Sequence, residues 1–146
     1  MAGFDKLVRD PGDTRFEKVR VASQAYVIGD AVMLDRTSDA IDVVPATSSS
    51  TTTNIYGVAM EGVASSATSL LICVITPEQE WVVESANNSN VNHNFQRMLL
   101  TDANTVNNTG TDNTTDEAVF MQTGVFGAAA NARIIGKFVK VANVTA

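Results

Sequence analysis

From residue 21 onward the apolar residues fall in short runs, rich in Val, Ile and aromatic side chains, and Gly, Asn, Asp, Ser and Thr separate the runs. Runs of about four to eight such residues with that punctuation are the signature of strands and turns. No stretch sustains helical periodicity. The pattern predicts strands at residues 24–28, 31–34, 41–44, 55–63, 69–75, 80–83, 97–100, 118–125 and 133–141. Tyr56, Val58 and Met60 alternate with Ile55, Gly57, Ala59 and Glu61, giving one larger apolar face, as a half-buried strand requires. Residues 70–75, Leu-Leu-Ile-Cys-Val-Ile, are apolar on both faces and are expected at the centre of a sheet. The expected fold class is all-β: a small β-barrel or β-sandwich of short antiparallel strands with an extended N-terminal arm.

Two polar tracts interrupt the strands. Residues 101–117 and residues 46–54 are built from Asp, Asn, Ser, Thr and Gly with little to bury, and both are expected to be solvated loops. An internal echo runs across them. Met33-Leu34-Asp35 precedes one tract, which is followed by Val58 to Val63 and then by residues 70–74; Met98 to Asp102 precedes the other, followed by Val119 to Val125 and then by residues 133–139. At a separation of roughly 60 residues this fits either a duplicated β-module, with copies at about 24–83 and 95–142, or the recurring grammar of a meander.

Residues 1–20 differ from the rest. They hold Lys6, Arg9, Arg15, Lys18 and Arg20, five of the ten basic residues, while the remainder of the chain is strongly acidic. Pro11-Gly12-Asp13 is a turn signal that interrupts any helix. This segment reads as an arm, either a loosely packed terminus or an extended segment that orders on a partner surface. Residues 21–146 form the single β-rich domain.

Composition narrows the class of function. Hydrophobic residues make up 45% of the 146 and charged residues 18%, against about 25% charged in an ordinary soluble domain, so the surface is polar rather than ionic. A net charge of -6 disfavours the phosphate backbone of nucleic acid as a partner. No run approaches the ~20 apolar residues that span a bilayer, and the first residues lack the apolar run of a secretory signal, so a membrane partner is not expected. The single cysteine, Cys73, excludes an internal disulfide and, lying among apolar neighbours, reads as a core residue.

Candidate chemistry is sparse. His93 stands in the polar run Asn90-Val91-Asn92-His93-Asn94 and reads as a solvated histidine. Glu78, Glu80 and Glu84 flank Trp81; a carboxylate pair for acid–base work is conceivable there, and solvated strand edges explain them better. Asp102, Asn104, Asp112, Asn113, Asp116 and Glu117 offer hard oxygen ligands, yet their spacing matches no calcium loop. Trp81 is expected in the core. These readings lead to a non-enzymatic protein with no catalytic residues, no cofactor, no metal and no small-molecule substrate.

Tyr26-Val27-Ile28-Gly29-Asp30-Ala31-Val32-Met33-Leu34, then Tyr56-Gly57-Val58-Ala59, then Leu71-Ile72-Cys73-Val74-Ile75-Thr76-Pro77 together resemble the small β-barrel subunits that decorate the heads of tailed bacteriophages. The segments 96–102 and 133–139 are similar to phage head-surface sequence as well. The resemblance implies a capsid decoration, or cement, protein. Such a protein is made in the host cytoplasm, joins the outer capsid surface of the virion as a homotrimer, binds the major capsid protein, and stabilises contacts between neighbouring capsomers. On that reading Phe4, Leu7 and Phe16 are apolar anchors for the capsid, and Arg9, Arg15 and Arg20 face its acidic groups. Two rival functions fit the same composition. One is another virion part, such as a tail, baseplate or head-fibre module. The other is a carbohydrate-binding adhesive β-module, which would rely on Trp81, Tyr26 and Tyr56 as exposed aromatics, the phenylalanines being used up by the core.

Overall fold

The structure, a computed structural model, describes residues 3–7, 14–37, 41–86, 90–107, 112–126 and 133–140. Branched and aromatic side chains favour the pleated backbone, and the described residues form eleven strands in chain order. They are β1 (Asp5–Leu7), β2 (Phe16–Arg20), β3 (Ala31–Asp35), β4 (Asp42–Pro45), β5 (Ile55–Ala59), β6 (Ser69–Val74), β7 (Glu80–Ser85), β8 (Arg97–Asp102), β9 (Thr105–Asn107), β10 (Phe120–Phe126) and β11 (Arg133–Phe138). The fold is all-β, and a single 3-10 turn at Val91–His93 is the only helical element among the described residues.

The strands form two sheets. One has the order β2-β6-β5-β3-β4, and a single parallel bridge between Val21 and Val43 brings its two ends together. The other has the order β7-β11-β10-β8-β9, and parallel pairing of β9 with β7 closes it into a five-stranded barrel. We call them the open sheet and the barrel. Read from β2 and from β7, they share one strand order and the same parallel closure. β1 is an addition to the barrel: it lies antiparallel on β7, with Asp5 opposite Val82 and Leu7 opposite Glu80. The expected arm is thus extended, and its described stretches are strands of the body.

The two sheets share a core. Ala31, Ile55, Val58, Cys73 and Ile75 of the open sheet pack in one apolar cluster with Trp81, Met98, Leu100, Phe120, Ile134 and Phe138 of the barrel. The other side of the open sheet encloses a smaller cluster of Val21, Tyr26, Val32, Val43, Ala59, Leu70 and Ile72. β6 therefore contributes to both, Ile72 facing one way and Cys73 the other, which is why residues 70–75 are apolar throughout. Phe4, only 1% exposed, sits in the barrel cluster with its ring 4.8 Å from that of Phe138 and 5.5 Å from that of Phe120. Its entry depends on a close crossing: Gly3 and Gly29 both have positive φ, and a side chain on Gly29 would meet the Gly3 backbone at 3.2 Å.

Four expectations are corrected. Residues 24–28 are not a strand: Tyr26 makes one isolated bridge to Val63, and the Asp30 carboxylate accepts the Val27 N–H in a turn that ends at Gly29, φ +94°. The strand expected to run to residue 63 ends at Ala59, and Val63 lies in that isolated bridge. The tract 101–117 is not wholly solvated, because β9 lies within it and Val106 is fully buried. In the tract 46–54, Ser50 and Thr52 are buried, their polarity met locally: the Ser50 hydroxyl accepts the Thr47 N–H, and the Thr52 N–H donates to the Asp116 carbonyl.

Removing the Phe4 ring should open a cavity in the barrel cluster. Phe4→Ala is expected to lower stability by about 3–5 kcal/mol and Phe16→Ala, at a half-exposed site, by under ~1 kcal/mol, read from urea unfolding midpoints. Gly136→Ala would drive a methyl to 2.3 Å from the Met121 carbonyl and 2.5 Å from the Phe120 ring, whereas Gly124→Ala meets nothing nearer than 4.0 Å. The first should fail to give soluble folded protein or melt far lower; the second should melt near the parent.

Candidate interaction surface

The 27–30 turn that breaks the expected strand also displays its apolar residues. Val27 is 62% exposed and Ile28 53%, and Phe16 on β2 is 57% exposed. Phe16 and Ile28 rim a hollow of about 270 Å³ whose floor includes Met60 and the buried Cys73, with Asp5 and Lys6 of β1 on its wall. The hollow lies where β1 and the open sheet meet. Large apolar side chains left in water around a concavity mark a contact site for another surface.

A second apolar display stands on the 3-10 turn and the residues after it, held against β10. Phe95 is 70% exposed and Val91 62%, and Phe95 has φ 71°, a left-handed conformation that costs a bulky residue energy. The loop is held in place from within. The fully buried Gln122 side chain donates to the Asn90 carbonyl and to the Asn94 side-chain oxygen, and the Phe95 N–H donates to the Gln122 carbonyl. Neither display follows from strand periodicity; Gly29-Asp30 was the one sequence signal for the first.

The residues expected to contact a capsid are dispersed by the fold. Phe4 is withdrawn into the barrel core, while Phe16 faces solvent. Arg15 pairs with Glu17 beside it, and Arg20 donates to Asp42 on β4. β1 includes Leu7, whose side chain lies outside the described residues, as does Arg9. Phe16 lines the hollow, Arg15 beside it does not, and Arg20 stands at the far end of β2. Tyr26 and Trp81, two aromatics on which a carbohydrate face would rely, are 2% and 0% exposed, and Tyr56 is half-buried.

The polar candidates serve the fold. The Asp102 carboxylate accepts the Asn104 N–H, the Asp112 carboxylate accepts the Arg97 N–H, and the Asn113 side chain accepts the Thr115 N–H, so these oxygens shape turns. Among the described residues no three His, Cys, Asp or Glu side chains gather as a metal site. His93 closes the 3-10 turn, its Nδ1 accepting the Asn90 N–H. Glu80 and Glu84 are half-buried on β7 and Glu78 is exposed.

One polar cluster links the sheets. The Tyr56 hydroxyl donates to Glu17, and the Lys140 ammonium lies 5.5 Å above the Tyr56 ring while donating to the Ile55 carbonyl at 2.7 Å. Burial, and then the hydrogen bond to the Glu17 carboxylate, pushes the Tyr56 hydroxyl up to about 12; burial raises Tyr26 too and lowers the Lys140 ammonium. On the exposed side, the Lys18 ammonium and the Leu71 N–H hold the Glu61 carboxyl below its ordinary value.

No protein-family model matches the sequence, and no curated protein matches it.

The chain has two tyrosines, and both are held neutral by the fold. A hydroxyl whose native pKa is raised adds stability that is complete below the unfolded value of about 10 and is lost as pH climbs through the native value. The ultraviolet titration should therefore show less tyrosinate at pH 10 in the native protein than in denaturant, where tyrosine is about half-ionised. Tyr56→Phe should remove a step near 12.

Proposed function

We propose that this chain is a structural virion protein that binds the outer surface of an assembled tailed-phage capsid and stabilises contacts between neighbouring capsomers. The observation that carries the reading is the apolar rim of Phe16 and Ile28 around a 270 Å³ hollow, with exposed Val27 beside Ile28, on an all-strand body. A body of short paired strands with a shared core presents such a rim without reorganising, so little ordering entropy opposes contact. The polar, weakly charged surface around it suits a subunit that must stay soluble until a shell is available. The sequence resemblance to decoration subunits supplies the identity of the shell.

The energetics follow from mass action. A ligand that binds only the assembled lattice stabilises that lattice, and three linked copies multiply a modest contact by avidity. We place the chain as a homotrimer on the major capsid protein at the virion exterior. Catalysis has no part in this role, and neither nucleic acid nor membrane is its partner.

Ile28→Glu would put charge on the rim, and Val27→Glu on the exposed residue next to it, without touching the core. Each is expected to weaken sedimentation with purified undecorated shells by about tenfold or more, the cost of desolvating a carboxylate against apolar surface, with melting temperature unchanged. Parent protein that fails to pellet with shells, or particles carrying only a handful of copies at the tail, would remove the reading in favour of a tail or fibre part.

A further inference from the structure

The open sheet and the barrel correspond residue by residue, not only in strand order. Val43 stands opposite both Val21 and Leu34, as Val106 stands opposite both Ser85 and Leu100. Val58 stands opposite both Ala31 and Cys73, as Met121 stands opposite both Arg97 and Lys137. Carried along β2 and β7, the same register equates residues 16–18 with residues 80–82. It is confirmed by their shared partners, since Lys18 faces Leu71 on β6 and Val82 faces Ile135 on β11.

On β7 the stretch 80–82 is covered by β1. On β2 the equivalent stretch carries no strand among the described residues, and β4 meets β2 only at the Val21–Val43 bridge, beyond that stretch. The unpaired groups are identifiable. Val74 N–H donates to the Arg15 carbonyl and Val21 N–H to the Thr68 carbonyl, so Arg15, Glu17, Val19 and Val21 direct their backbone at β6. The N–H and C=O of Phe16 and Lys18 point the other way, along a bare edge. The apolar hollow lies at the Phe16 end of that edge.

We propose that the bare edge of β2 at residues 16–18 is a strand-acceptor site, filled by an extended segment of another protein lying antiparallel on it, as β1 lies on β7. Main-chain hydrogen bonds to Phe16 and Lys18 give such a site its affinity, and side chains at alternate positions give it selectivity. The residue opposite Phe16 extends toward the hollow and is a large apolar one. The residue two places before it stands beside Lys18 and is acidic. Lys18 spends one ammonium bond on Glu61 and retains donors for a further carboxylate, whereas Arg15 projects from the other face of the strand and pairs there with Glu17. The selected segment is acidic-x-apolar. This goes beyond the surface-binding role, because it assigns a backbone site that operates whichever assembly carries the segment.

The probe is the synthetic peptide acetyl-Thr-Glu-Val-Phe-Thr-Val-amide, titrated into nitrogen-15-labelled protein. The expected result is saturable shifts and slowed hydrogen exchange centred on the Phe16 and Lys18 amides. Lys18→Pro removes the outward N–H at an edge position that tolerates proline, and should weaken the peptide by about tenfold or more at unchanged melting temperature. Phe16→Glu, which leaves the backbone intact, should weaken it similarly and covers the case of a misfolded proline variant. Shifts centred elsewhere, no shifts at millimolar peptide, or binding indifferent to both substitutions overturns the site. Concentration-dependent pairing of the parent that Lys18→Pro abolishes would give the edge to a second copy and overturn the outside partner.

Discussion

Much of this fold hangs on one aromatic contact. The Phe4 ring lies against Phe120 and Phe138, and Trp81 meets Phe138 edge-on at 5.9 Å, so four large rings from four parts of the chain fill the barrel. Rings of this size bury more apolar area than any other side chains. Because Phe4 precedes β1, its burial sets β1 on β7. The crossing of Gly3 over Gly29 then ties the open sheet to the same point, with Gly3 N–H donating to the Asn104 carbonyl and Phe4 N–H to the Gly29 carbonyl. The hollow, the turn at Val27 and Ile28, and the orientation of β2 all inherit their positions from that junction.

The shared strand plan makes the differences between the two sheets informative. Ala31, Val58 and Cys73 of the open sheet are small and buried against the barrel; their counterparts Arg97, Met121 and Lys137 are long, two of them charged, and partly exposed. The same face is therefore adhesive in one sheet and solvated in the other. Stacked repeats end in this manner, with a polar outer face on the last unit that stops further stacking. The edges differ too: the barrel has its seam covered by β9 and β1, while the open sheet meets itself at one bridge.

The all-β class and eight of the nine expected strands, one of them drawn too long, were legible in the sequence, because short Val/Ile runs between Gly, Asn and Ser admit little else. The internal echo set the segments of β3 and β8, β5 and β10, and β6 and β11 beside one another, and it began after β2. β2 and β7 were missed as its first members because Phe16-Glu17-Lys18-Val19-Arg20 alternates charge with apolar residues and reads as a solvated arm. β1 and β9 were illegible for a different reason. Three residues among polar neighbours carry no periodicity, and Asp5–Leu7 and Thr105–Asn107 are strands only because β7 supplies a ladder. The interaction surface was half readable: Phe16 was singled out, Phe4 was assigned outward when tertiary packing claims it, and Val27 and Ile28 were hidden inside an expected strand.

The placement of β1 also bears on how the protein is made. Ribosomes release the chain from its amino end, so Phe4 and β1 emerge well before β7, Phe120 and Phe138, against which they pack. Until β7 has left the exit tunnel, β1 has no strand to pair with, and until β11 has left, the Phe4 ring lacks Phe138 and the rest of its pocket. The open sheet can assemble from local pairings during that wait, but the barrel cannot. Final closure waits for β10 and β11, and a nascent chain stalled before β10 would hold one half folded and the other waiting.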